Sequence, residues 1–164
     1  MKHKYINAFI CAALLTFSSC GEDFLYKAPQ GSIDQNALEN GTGVELLVAS
    51  TYANLTENGW GATPFNWTFG GMYGGDANKG SDPGDQSVLN EMELYNTTST
   101  NGYINEKWVW TYKGNKRANV ALQVLEKVTD MSEDLRSVRK GELYFLRSMF
   151  YFESMIIFGA FIPY

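Results

Sequence analysis

Histidine is almost missing from this chain of 164 residues: there is one, His3, and there are two cysteines, Cys11 and Cys20. His3 and Cys11 both lie in residues 1–19, which read as an export signal. Lys2, His3 and Lys4 form a basic head, and Ile6 to Phe17 form a mostly apolar run. With that segment removed no histidine is left, so a Ser-His-Asp triad, a Cys-His pair and imidazole metal ligands are all excluded. Cys20 then has no partner for an internal disulfide, and an oxidising compartment adds no cross-link. Long hydrophobic runs are lacking too. The twelve residues from Ile6 to Phe17 fall well short of the roughly twenty that span a bilayer as a helix. Basic charge is also scarce: 13 Lys+Arg stand against 18 Asp+Glu, and loss of Lys2 and Lys4 leaves a net charge of −7. Nucleic acid asks for a concentrated cationic face, so the balance argues against it as a partner.

What the chain does have is apolar and aromatic weight, 45% hydrophobic and 15% aromatic, enough for a folded domain of ordinary size. Phe17-Ser18-Ser19-Cys20 places a cysteine after two small residues at the end of the apolar run, with Phe17 where leucine is usual. The pattern resembles a bacterial lipobox, in which Cys20 becomes the lipid-bearing N-terminus. At about 0.8 kcal/mol per buried methylene, several acyl chains hold a domain on a membrane without a spanning helix. Gly21-Glu22-Asp23 follows directly, and this acidic run reads either as a surface-export signal or as a solvated tether. Residues 20–36 carry Pro29, Gly31, Ser32 and Asp34 with little periodicity, which predicts an extended tether ahead of a domain over 37–164.

Within that domain the spacing predicts a mainly α fold. A first helix over 42–56 has Thr42 and Glu45 in a capping-box pattern, with Val44, Leu47, Val48, Tyr52 and Leu55 on one face. A second over 103–128 aligns Ile104, Trp108, Tyr112, Ala118, Leu122 and Leu125. A third over 133–158, capped by Ser132 and stopped by Gly159, aligns Leu135, Val138, Phe145, Met149, Phe152 and Ile156. Leu143, Leu146, Phe150 and Ile157 widen that last stripe to most of the circumference, so neighbours are expected on more than one side. The last two helices form a hairpin of the tetratricopeptide kind. Their apolar surface exceeds what the first helix covers, and the chain is expected to be the incomplete N-terminal part of a larger α-repeat domain. Residues 59–102 differ in texture. Eight glycines lie between Gly59 and Gly84, with Pro64 and Pro83 among them, which predicts irregular loops and short strands rather than helix.

That irregular region carries the candidate site. Trp60, Phe65, Trp67, Phe69 and Tyr73 put five aromatics into fourteen residues. Rings of this kind stack on the C–H faces of sugars, while in a structural role they pack the loop against the helices. Trp60, Trp67 and Tyr73 are the candidate binding residues. Asp76 to Asp85 looks briefly like a calcium loop, but the EF-hand spacing asks for Gly and Glu where Ser81 and Ser87 stand, so a solvated turn is the reading and no metal is expected. Glu91 and Glu93 alternate with Met92 and Leu94 as on a short strand. Glu142 and Arg147 read as ties between helices, and no residue reads as catalytic.

Longer motifs then carry a family. Glu142-Leu143-Tyr144-Phe145-Leu146-Arg147-Ser148-Met149-Phe150-Tyr151-Phe152 resembles the E-x-x-F-L-R-A-x-x-Y-F helix of the SusD/RagB-like lipoproteins, with Ser148 in place of Ala. Phe158-Gly159 and Pro163 look like that family's F-G-x-x-P turn, one residue wider. Trp108 and Tyr112 with Ala118-Asn119 and Leu122 resemble its W-x-x-x-Y…A-N-x-x-L helix. Cys20, Asp23-Phe24-Leu25 and Pro29 resemble its lipidated start. The resemblance implies an outward-facing outer-membrane lipoprotein on a tetratricopeptide-like scaffold. It would capture glycans or other nutrients for a TonB-dependent SusC-like transporter, with no cofactor, and this chain would cover roughly the N-terminal third. No starch-specific contact motif stands before the second helix. Two other functions stay open: a lipid-anchored glycoside hydrolase working with two carboxylates, and a scaffold-only segment that contacts the transporter.

Overall fold

A computed structural model describes residues 35–57 and 67–160. The chain divides into two units, Met1–Asn36 and Ala37–Tyr164, and the fold below is that of the second. Its helices are α1 (Gly41–Ala53), α2 (Ser87–Glu93), α3 (Gly102–Lys127) and α4 (Glu133–Phe158). A 3-10 turn at Gln35–Leu38 leads into α1, and a π-helical segment, Trp67–Met72, precedes α2. No strand occurs among the described residues. The architecture is therefore mainly α, as the periodicity predicts.

Helix ends follow the local chemistry, with one correction. α1 is capped by Asn40, not Thr42: Asn40 Oδ1 accepts from Gly43 N at 2.9 Å. Its first free N–H, on Gly41, donates to both carboxylate oxygens of Asp130, at 2.8 and 3.0 Å. The helix start thus finds an acceptor 89 residues away, which no local pattern shows. Glu45, expected to close a capping box, instead forms a two-pronged pair with Arg139 of α4, at 2.8 and 2.7 Å. Ser132 does cap α4, accepting from Leu135 N at 3.4 Å, with Glu133 and Asp134 favourably placed in the first turn. Gly159 ends it at φ +79°, where a side chain would be strained.

α3 and α4 pack as an antiparallel hairpin, and α1 lies against both. Early residues of α3 meet late ones of α4. Trp110 meets Phe150 edge-on at 5.2 Å, Lys107 meets Glu153, and Asn119 Oδ1 accepts from Arg147 at 3.0 Å. The two resembling motifs thus touch each other through Asn119 and Arg147. Val44 and Val48 of α1 pack on Ala118, Ala121, Leu125 and Leu143 in the main core. The end of α1 is locked to α3 twice: Trp110 Nε1 donates to Asn54 O at 2.7 Å, and Asn54 Nδ2 donates to Trp110 O at 3.2 Å.

Three expectations are corrected. On α4 the buried face is Leu143, Leu146 and Phe150, while the predicted stripe is largely in water, with Phe145 68% and Ile156 64% exposed. Apolar residues cover most of the helix circumference, so periodicity alone does not choose its inner face. Polar partners on α3, Asn119 for Arg147 and Lys107 for Glu153, settle the rotation. On α3 the predicted Ala118, Leu122 and Leu125 are buried, but the buried tryptophan is Trp110 and Trp108 is half-exposed. Finally, the strand expected at Glu91–Leu94 is the end of α2. Leu89 and Met92, three residues apart, point together into a cluster with Met72 and Tyr103, a spacing that only a helix provides.

Candidate functional site

The glycine-rich region is held on the first turns of α3 by that cluster of Met72, Leu89, Met92 and Tyr103, with Phe69 and Ile104 packed against it. Thr68 and Met72 are both buried, and Gly70 and Gly71 let the backbone between them wind wider than an α-helix: Tyr73 N donates to Thr68 O at 2.9 Å. Helix over part of this stretch overturns the expectation of loop and strand. Burial of two side chains outweighs the glycine penalty of about 1 kcal/mol per residue.

Between this segment and the end of α4 opens a cleft of about 300 Å³. One wall is Phe69, Gly70 and Tyr73, and the other is Ile156, Ile157 and Phe158, with Ile104 and Glu153 also lining it. The walls are apolar, and Glu153 is the carboxylate among the described lining residues. Its Oε2 accepts from Lys107 Nζ at 3.1 Å. Lys107 is wholly buried, with its ammonium 4.5 Å from the Trp110 ring centre and 5.9 Å from that of Phe69. Burial pulls the Lys107 pKa below its usual value, and the hydrogen bond and charge of Glu153 oppose that pull. Behind Phe158, Trp108 packs edge-on at 5.2 Å and in turn meets Tyr112 at 4.7 Å. The motif aromatics of α3 therefore support the cleft wall rather than form it.

Of the three candidate binding residues, Trp67 and Tyr73 are exposed, by 48% and 37%. Tyr73 lines the cleft and Trp67 does not. Trp60 lies outside the described residues, as does Cys20. Sequence reasoning places Ile156 on a helix face and Phe158 in the turn after the helix, and it gives no role to Glu153 or to Tyr95, whose ring leans on Tyr73 with centres 5.6 Å apart. No spacing signal marks Tyr95. In the turn that looked like a calcium loop, Lys79 Nζ donates to the carbonyls of Asp82, at 2.7 Å, and Asp85. No group of three or more His, Cys, Asp or Glu that could hold a metal occurs among the described residues. Glu91 and Glu142 hold structure together: Glu91 Oε2 accepts from Asn101 Nδ2 at 3.0 Å, and Glu142 Oε2 from Arg139 at 2.8 Å.

The described residues thus form a helical hairpin with a cleft of aromatic and aliphatic walls at one end. Residues 31–164 match the SusD-like family, described as starch-binding and associating with the outer membrane. The chain belongs to that family. No curated protein and no solved structure matches it significantly.

Proposed function

We propose that this chain works at the outer membrane as an outward-facing lipoprotein, anchored through Cys20. It captures glycans or related nutrients and passes them to a TonB-dependent SusC-like transporter. The observation that carries the binding part is the cleft bounded by Phe69, Tyr73 and Phe158 in a chain of a glycan-binding family. Aromatic walls suit the C–H faces of sugars, and the Glu153–Lys107 pair supplies polarity at its side. No helix among the described residues is long and apolar enough to cross a membrane, and the lipid on Cys20 is supported by the lipobox pattern of Phe17-Ser18-Ser19-Cys20. Binding without turnover is the reading favoured by chemistry. Glycoside hydrolysis takes two carboxylates, and Glu153, already engaged by Lys107, is alone among the described lining residues.

Three measurements test this. The full chain, extracted in detergent, is titrated with maltoheptaose, cellohexaose and xylohexaose, alongside the Trp60→Ala, Trp67→Ala and Tyr73→Ala variants. Binding of at least one glycan, weakened by Tyr73→Ala and without release of reducing ends, is expected. Intact mass reads acylation of Cys20, and co-purification reads the transporter. An unacylated Cys20, or a chain that binds no glycan and no transporter, would sink the proposal.

A further inference from the structure

The short helix α2 closes with paired hydrogen bonds, Asn96 N to Glu91 O at 2.9 Å and Tyr95 N to Met92 O at 3.2 Å. This is the Schellman arrangement, and it requires a left-handed residue just past the helix. Glycine, and less often asparagine, fills that place, because a larger L-residue brings its Cβ against the carbonyl. Here it is Tyr95, at φ +56°. Nothing in closing the helix calls for a ring. Nor does the core claim it, since Tyr95 is 64% exposed.

What the strained turn achieves is placement. The Tyr95 ring meets Tyr73, with planes inclined at 54°. Its hydroxyl lies over Gly75, where a Cβ would come within 3.3 Å, and Gly75 is itself left-handed at φ +84°. Two left-handed residues on separate turns therefore bring an exposed aromatic against the ring that lines the cleft.

We propose that Tyr95 is a ligand-contacting residue, and that Tyr73, which lines the cleft, and Tyr95, which leans on it from outside the lining, together offer two inclined faces to the C–H face of a pyranose ring. The inference rests on the glycan reading of the cleft and assigns it a residue outside the glycine-rich segment. Strain retained at an exposed aromatic is the mark of a position held for function against local stability.

The test uses the full chain with the Tyr95→Asn and Tyr95→Phe variants. Each is read for melting temperature and for affinity to maltoheptaose, cellohexaose and xylohexaose. Asparagine tolerates the left-handed turn, so Tyr95→Asn is expected to keep or raise the melting temperature while weakening glycan binding roughly threefold to tenfold, the scale of one aromatic contact. Tyr95→Phe keeps the ring and is expected to stay within about twofold of the parent. If Tyr95→Asn lowers the melting temperature, the ring serves packing and the inference falls. It falls equally if affinity is unchanged while the parent chain binds. A parent chain that binds none of the three glycans overturns the glycan reading itself, and this inference with it.

Discussion

Replacing Glu153 by glutamine removes a carboxylate that faces the buried ammonium of Lys107. In the parent, Lys107 Nζ sits 3.1 Å from Glu153 Oε2, with the lysine side chain fully buried and that of Glu153 22% exposed. Removing one partner of a buried ion pair costs about 3–5 kcal/mol, because the desolvated charge loses the attraction of that partner. Partial access of water to Glu153 places the cost at the lower end, about 3 kcal/mol. For a unit spanning residues 37–164 that is a fall of roughly 12 °C in melting temperature. The loss depends on pH with a definite sign. Burial holds the Lys107 pKa below 10.5, so between the lowered value and 10.5 the unfolded chain binds more protons and stability rises with pH. Glu153 opposes the lowering, so Glu153→Gln deepens it and opens the window at lower pH. The variant should therefore recover part of its loss between pH 7 and about 9.5, more steeply than the parent. The Tyr52 and Tyr103 phenols, pushed above 10.0 chiefly by burial, contribute stability that is kept below pH 10 and lost above it, so the scan stops short of them. Urea unfolding at each pH is the assay. The double variant Lys107→Met with Glu153→Leu should return to within about 1–2 kcal/mol of the parent, since apolar groups replace a buried pair well. A Glu153→Gln protein within about 0.5 kcal/mol of the parent at pH 7, with a parallel pH profile, would refute the reasoning.

Other perturbations probe the scaffold. Gly114→Ala would set a Cβ 2.7 Å from the Phe150 ring and 2.8 Å from Asn54 Nδ2, so a loss of about 1–3 kcal/mol is expected in urea unfolding. Asn40→Ala removes the acceptor for Gly43 N and should cost about 1 kcal/mol, with a matching fall in the helical circular-dichroism midpoint. Glu45→Gln breaks one arm of the Glu45–Arg139–Glu142 group. Because Glu45 is partly exposed, the loss should be no more than about 1 kcal/mol and should shrink as salt is added.

The long helices were legible because their signals are local. The expected bounds 103–128 and 133–158 sit within a residue of Gly102–Lys127 and Glu133–Phe158. Ser132 caps and Gly159 stops as their chemistry dictates. What could not be read was anything set by contacts between distant residues. The cap of α1 depends partly on Asp130, and the inner face of α4 depends on Lys107 and Asn119 of α3. Periodicity reports that a helix has an apolar face, and on α4 nearly every direction qualifies. α2 failed for a different reason: seven residues give too few turns to separate alternation from helical spacing, and only burial of Leu89 and Met92 against Met72 decides it.

The division between legible and illegible follows the division between scaffold and site. α3 and α4 begin and end where local capping chemistry places them, and their hairpin supplies Ile104, Glu153 and Phe158 to the cleft. The opposite wall breaks local rules repeatedly. The glycine pair Gly70-Gly71 sits in a π-helical turn at Trp67–Met72, and Gln86 and Tyr95 stand left-handed at the two ends of α2. Each departure costs free energy that the cluster around Met72, Leu89, Met92 and Tyr103 must offset. A chain that needed only to cover α3 could do so with an ordinary helix. This one instead places Trp67, Tyr73 and Tyr95 at the surface at a cost in stability, and that cost is what the proposed glycan contacts would offset.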